Sequence, residues 1–327
     1  MPASPDLPLM EVAPSPHLAE TGSTTHRMMI DVLIALVPVL VIAVLVFRWY
    51  AVVQVGICVL ACLATEAVCC RLRAKPLSLA DGSVAVTGVI LGLSLPWAAP
   101  LYIGVLASVV AVGLGRAVFG GLGYNIFNPA MVGRAFVMLS FARELGAAGY
   151  VVLESSLEVL TEPTPLMAAE EVTRAMGVEG LWPLFVGHLN GSPGETSAVA
   201  LLLGGLYLCF RRSAAWAIPA GMILSGYVCA EVFYAAGLTM FPPLYHMFTG
   251  SFFFGAFFIA TDPVTSPVIR RGQLAFGAGV GVLTMLIRVF SGYPEGVMFA
   301  VLLMNAAVPL INRWTIPRPL GGPVGAR

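Results

Sequence analysis

Residues 29–47 read MIDVLIALVPVLVIAVLVF, nineteen positions with a single charge, Asp31, and no polar alternation. A hydrocarbon layer about 30 Å thick needs about 20 apolar residues in a helix. It also leaves no water for exposed backbone groups, so such a run reads as a spanning helix. A membrane β-barrel would instead alternate polar and apolar residues. The same pattern recurs at about 51–70, 83–95, 101–118, 125–142, 197–210, 214–237, 247–261, 274–290 and 295–312. The expectation is an all-α polytopic membrane protein of about ten transmembrane helices.

The whole chain agrees with its first run. Of 327 residues, 58% are hydrophobic and 10% charged, against roughly 25% charged in a soluble domain. Sixteen Arg and one Lys (Lys75) balance seventeen acidic residues, and no basic face points to nucleic acid. Cys58, Cys62, Cys69 and Cys70 share one run, but there is no CxxC and no compact four-Cys set for a cluster. The four His are scattered, so no metal site is expected. Residues 1–27 lack the apolar core of a cleavable signal, which leaves the first spanning helix as the insertion signal.

Positive charge is retained on the cytoplasmic side of a membrane. With the N-terminus inside, Arg27, Arg71, Arg73, Lys75, Arg116, Arg211, Arg212, Arg270, Arg271, Arg313, Arg318 and Arg327 fall inside, and only Arg48, Arg143, Arg174 and Arg288 fall outside. Both termini are then cytoplasmic. Segment 143–194 becomes extracytoplasmic; from Arg143 to Glu195 the chain holds eight Glu against two Arg. The expected layout is a cytoplasmic segment 1–27, a first transmembrane repeat 28–142, the outer segment 143–194, a second repeat 195–312 and a cytoplasmic tail 313–327.

The repeat rests on paired signals. Asp81-Gly82-Ser83 is followed by Pro96, Arg116, Phe119 and Gly120-Gly121; Thr249-Gly250-Ser251 is followed by Pro263, Arg288, Phe290 and Gly292. Glu66 and Glu231 add a third pair. Five runs separate equivalent elements, and five is odd, so the two five-helix repeats are expected to be inverted. Runs broken at Leu95-Pro96 and Asp262-Pro263 are expected to line a site between them.

The outer segment is long enough to be functional, and its centre reads Glu158-Val-Leu-Thr161-Glu162-Pro163-Thr164-Pro-Leu166. Together with Ser15-Pro16-His17, Asp81-Gly82-Ser83, Phe119–Gly123 running into Asn125-Ile-Phe-Asn128-Pro-Ala130, Gly194–Ala198, Ala260–Pro267 and Tyr293-Pro-Glu-Gly296, it resembles the RnfD/NqrB family over nearly the whole chain. The short N-terminus is more similar to RnfD. The resemblance implies flavin mononucleotide (FMN) joined by a phosphoester to Thr164, with Thr161 the substitute. The attachment motif departs from the family's pattern, since Glu158, Glu162 and Pro163 stand where Asp, Gly and Ala are usual. A second, non-covalent flavin, such as riboflavin, is implied in the membrane part, with Asn125, Asn128, Asp262 and Thr265 beside it; helix capping and kinking account for the same residues.

Glu195, Thr196 and Ser197 open a run on the outer side, where free N–H groups and a helix dipole suit the flavin phosphate, and Arg288 adds charge. Simple N-capping explains Thr196 and Ser197 equally. Asp31, Glu66, Arg134 and Glu231 are the charges nearest the bilayer interior. Glu66 and Glu231 are candidates for an ion path, with snorkelling to the interface the alternative.

The resemblance implies a subunit of an Rnf-type ion-translocating ferredoxin:NAD oxidoreductase in the bacterial inner membrane, passing electrons through the membrane and driving Na⁺ or H⁺ export. It also implies partners: membrane iron–sulfur subunits, an FMN-bearing peripheral subunit, NADH- and ferredoxin-reactive subunits, and a flavin transferase for maturation. No nicotinamide fingerprint follows a strand, so the chain has no nicotinamide site of its own. The alternatives are a permease without redox cofactor, or a quinone-reducing subunit similar to NqrB.

Overall fold

The computed structural model describes residues 24–74, 81–97, 99–146, 185, 192–291 and 295–317. These form an all-helical bundle with no strand among them. The elements are α1 (Thr25–Phe47), α2 (Trp49–Leu72), α3 (Ser83–Ser94), α4 (Leu101–Val112, continuing as a π-helical turn Gly113–Ala117), α5 (Pro129–Ser140), α6 (Ala142–Gly146), α7 (Ala198–Phe210), α8 (Ala217–Ala235), α9 (Pro243–Phe248), α10 (Phe252–Phe254, continuing as a π-helical turn Gly255–Ile259), α11 (Arg270–Phe290) and α12 (Val297–Thr315).

Five of these, α1, α2, α8, α11 and α12, are long and apolar enough to cross a membrane; α3, α4, α5 and α7 are apolar but shorter. The chain is a polytopic helical membrane protein. The apolar run at 247–261 proves to be two helical pieces, because Thr249 and Gly250 leave helical geometry between α9 and α10. The last run extends to Thr315. Leu45, Leu60, Leu72, Leu224 and Phe210 point outward, while the small and aromatic residues Ala35, Ala43, Ala107, Phe252, Phe254 and Phe276 fill the interior. In lipid, helices gain from close packing rather than from hiding apolar surface, which favours small residues at contacts. Gly277 is one: a Cβ there would strike the Ile218 carbonyl, so only glycine lets α11 lie this close to α8.

The break at Pro96 leaves α3 ending inside the protein, and its last carbonyls need partners. Gln54 of α2 donates Nε2 to Gly92 O and Leu95 O, both at 3.0 Å; Ser94 Oγ donates to Leu91 O at 2.8 Å, and Gly194 N to Leu93 O at 2.8 Å. The break thereby docks the segment leading into α7 against the end of α3. At the other break the Ile259 carbonyl, at the end of the α10 π-turn, accepts from Asn128 Nδ2 at 3.3 Å. Each broken helix is completed by side chains or backbone from elsewhere in the chain.

Two turns have matching geometry. Gly82 (φ 76°) precedes α3 and Gly250 (φ 62°) precedes α10, both in the left-handed region that glycine enters without steric cost. Arg116 Nη1 donates to Ser83 Oγ at 2.7 Å, and Arg288 Nη2 donates to Thr249 O at 3.0 Å. In both cases an arginine from the next helix in the chain ties down the turn that begins the broken one.

Candidate functional site

α5 and α12 run side by side, and two contacts along them define the site's two levels. At the first level, Asn128 caps α5 with its side chain accepting from Met131 N. Its own N–H is held by Asn305 Oδ1 at 3.1 Å, and Asn305 Nδ2 donates to Thr265 O at 3.0 Å. Further along, Arg134 of α5 meets Glu295 just before α12. Asn128 precedes Arg134 while Asn305 follows Glu295, so the two helices are antiparallel.

A cavity opens beside the first level. Its walls include Met29, Ser83, Ile90, Arg116, Asn125, Asn128, Phe258 and Asp262, contributed by α1, α3, the π-helical end of α4, the segment leading into α5, and the end of α10. The cavity therefore joins the two broken helices, and Asn125, Asn128 and Asp262, picked out as an inner site by sequence, stand on it together. Thr265 lies behind, donating its hydroxyl to Asp262 Oδ2 at 3.0 Å. Val264 N donates to Asp262 Oδ1 at 3.3 Å. Burial pushes the Asp262 carboxyl above the usual carboxylate range, against the opposing effect of those two hydrogen bonds. Asn125 Nδ2 donates to Phe127 O at 3.2 Å, while its Oδ1 is buried with no hydrogen-bond partner among the described residues.

Arg116 forms the floor of this region. Its Nη2 stands 3.5 Å from both Glu66 Oε1 and Asp81 Oδ2, and it is almost fully buried. Asp81 in turn accepts from Ser83 N at 3.0 Å and Ser83 Oγ at 2.8 Å. Glu66, an ion-path candidate from the sequence, is buried and paired, whereas Glu231 is exposed on this chain's surface. Asp31 is likewise engaged, accepting from Tyr207, Arg211 and Ser213, which joins the start of α1 to the end of α7.

At the second level Arg134, Glu195 and Glu295 form a buried cluster, with Arg134 Nη2 at 3.6 Å from Glu195 Oε1 and in closer contact with Glu295 Oε2. Thr196 and Ser197 adjoin it, but their hydroxyls are engaged locally: Thr196 donates to Pro193 O at 3.3 Å, and Ser197 caps α7 by accepting from Ala200 N at 3.3 Å. Arg288 is committed to His246 O at 2.5 Å and Thr249 O at 3.0 Å. Thr161 and Thr164 lie outside the described residues, as do Ser15–His17 and Tyr293-Pro294.

Gln54, Asn305 and Arg134 were given no site role from the sequence, and Glu295 was noted only within a motif. The available signal was the isolation of each polar side chain in apolar surroundings, where such a group is retained only with a partner.

The family model described as NQR2, RnfD, RnfE family matches residues 11–321. The chain is 41% identical to a subunit of the Na⁺-translocating ferredoxin:NAD⁺ oxidoreductase complex of Acetobacterium woodii, over 95% of each chain. It is 36% identical to a subunit of the proton-translocating ferredoxin:NAD⁺ oxidoreductase complex of Clostridium ljungdahlii and 38% identical to a subunit of the ion-translocating oxidoreductase complex of Halorhodospira halophila, each over 96% of both chains. With a match over nearly its full length, and with the Asn125–Asn128, Asp262–Thr265 and Glu195 segments gathered around one helical interface, this chain belongs to the NQR2, RnfD, RnfE family.

Proposed function

We propose that this chain is the flavin-carrying membrane subunit of a redox-driven ion pump, an Rnf-type ferredoxin:NAD oxidoreductase complex of the bacterial inner membrane. The observation that carries this reading is the 41% identity, over 95% of each chain, to one subunit of a complex named for that reaction. In this reading FMN is joined to Thr164, or failing that Thr161, on the extracytoplasmic segment, after a flavin transferase has acted. Iron–sulfur, ferredoxin-reactive and NADH-reactive partner subunits complete the electron path, and the exported ion is Na⁺ or H⁺.

The inner cavity suits a second flavin. An isoalloxazine ring presents flat apolar faces and one edge that alternates carbonyl acceptors with an N–H donor. Met29, Ile90 and Phe258 offer apolar wall, and the unpartnered Asn125 Oδ1 offers an acceptor to that edge. When bound, such a ring accepts and releases electrons singly or in pairs. Asn125 and Asn128 would orient it, Arg116 and Ser83 would set the local charge, and the surrounding helices would exclude water.

The finer architecture belongs to the same proposal. Two inverted five-helix repeats relate α1–α5 to α7–α12, supported by the matched Gly82 and Gly250 turns and by their matched arginine ties. The shorter helices α3, α4, α5 and α7 contribute to about ten crossings, with the broken ones meeting near mid-membrane. Both termini are cytoplasmic. Glu66, buried against Arg116, stays in the proposal as an ion-path residue; Glu231 joins it only at the protein surface.

Intact mass spectrometry of the chain, produced with a flavin transferase, tests the reading. An increment of one esterified FMN is expected, and a chain that never acquires flavin under those conditions would instead be a permease.

A further inference from the structure

The Arg134 cluster contains more acid than its geometry can hold ionised. Glu195 and Glu295 come from segments far apart in sequence, one leading into α7 and the other into α12. Both carboxyls address the same nitrogen of the same guanidinium, which makes them close neighbours of each other. Side-chain exposure is 5% for Glu195 and 18% for Glu295. Two carboxylates this close in a water-poor setting repel strongly, and a hydrogen bond between them requires a proton.

The charges facing the pair come from every helix around it. Arg134 on α5 contacts both. Arg288 on α11 contributes at longer range, with its Nη1 and Nη2 hydrogen-bonded to the His246 and Thr249 carbonyls. His246 on α9 faces Arg288, and its imidazole is held near a pKa of about 4 by burial and by that neighbouring charge, so it adds no positive charge at neutral pH. One guanidinium in direct contact thus serves two carboxyls. It favours Glu295, and Glu195 Oε1 is left buried with no hydrogen-bond partner among the described residues.

We propose that Glu195 and Glu295 form a buried proton-binding site, a carboxyl pair that shares one proton at neutral pH and bridges the segments entering α7 and α12. The proton resides on Glu195, whose carboxyl donates to the Glu295 carboxylate, and Arg134 neutralises the single remaining negative charge. Electrostatics agree on the ownership. Burial and the adjacent Glu295 charge raise Glu195 well above the usual carboxylate range, while Arg134 makes its closer contact with Glu295. The site exchanges a proton only, and it stands whether or not the chain carries flavin.

Infrared difference spectroscopy on the purified full-length protein, exchanged between H₂O and D₂O at neutral pH, reads the proton directly. A protonated buried carboxyl gives a carboxylic-acid C=O band, shifted in D₂O, that an ionised pair lacks. That band is expected in the parent protein and is expected to be lost in Glu195→Gln. It should be lost also in Glu295→Gln, where the remaining Glu195 has Arg134 to itself and an amide donor beside it. Glu231→Gln, which removes an exposed carboxylate, is expected to keep the band. Absence of the band from the parent protein would overturn the proposal, as would a band that survives in both Glu195→Gln and Glu295→Gln. Because the parent protein is itself an arm, a variant that fails to fold does not remove the test.

Discussion

Glu66 and Arg116 form a buried ion pair, 3.5 Å apart, with both side chains at or below 5% exposure. Removing one member of such a pair strands the other's charge, which typically costs about 3–5 kcal/mol. Asp81 and Ser83 remain beside Arg116 to take part of that burden. Glu66→Gln should therefore lower stability by about 3 kcal/mol. Glu231→Gln, on an exposed carboxylate, should stay within about 0.5 kcal/mol. Thermal unfolding of both variants in one detergent checks the contrast. Redox turnover and membrane potential, measured together in vesicles, then separate lost coupling from lost protein in the Glu66 variant.

The sequence relation between Glu66 and Glu231 shows where reading a single chain stops. Their proposed equivalence was read from turn glycines and arginines that recur at nearly constant offset. Their burial was not, since it depends on which residues pack against them: Arg116 reaches Glu66, while Glu231 faces outward. The apolar helices and the break at Pro96 were legible for a local reason, as run length and proline act on the nearest few residues. The partners that complete the breaks were not. Asn305 lies 177 residues from Asn128, and neither residue names the other.

Thr164 is expected to carry the flavin. Thr164→Ala should abolish the FMN-sized increment in the intact mass, together with the fluorescent band that survives denaturing electrophoresis. Retention of the increment, followed by its loss in Thr161→Ala, would move the attachment to Thr161.

The charge bias predicts that segment 143–194 lies outside. A single cysteine introduced at Glu170, in a background lacking reactive native thiols, should react with a membrane-impermeant maleimide in intact cells. Reaction only after permeabilisation would invert the orientation and both termini with it.

Asp262 gives a pH signature. Its carboxyl titrates above its unfolded value because burial disfavours the charged form. Over the window between those two values the native state holds more protons than the unfolded state, so this group's contribution makes stability fall as pH rises. Asp262→Asn removes that slope while keeping an acceptor for the Val264 N–H. The difference in unfolding free energy between variant and parent should shift in the variant's favour from acidic to neutral pH. A difference constant with pH would mean that Asp262 titrates alike in the native and unfolded states.

Asn305 joins the start of α5 to the segment before α11 by accepting from the Asn128 N–H and donating to the Thr265 carbonyl. Asn305→Ala leaves both backbone groups buried without that partner, and each such loss costs about 1–3 kcal/mol. Asn128 would also lose the contact that fixes it on the cavity wall, so retention of any non-covalently bound flavin should fall in parallel. Instability alone would not distinguish this role from simple packing, but Asn305→Asp does. An ionised aspartate still accepts from Asn128 yet presents only oxygen to the Thr265 carbonyl, whereas a protonated one donates to it and restores both bonds. The buried carboxyl would bind its proton more tightly in the native state than when unfolded, so stability should rise toward that of the parent as pH falls. Measured against the parent protein, Asn305→Asp should regain stability and flavin retention together on acidification, while Asn305→Ala should regain neither. If the two variants show the same pH dependence, the Asn305–Thr265 bond is not what holds the site.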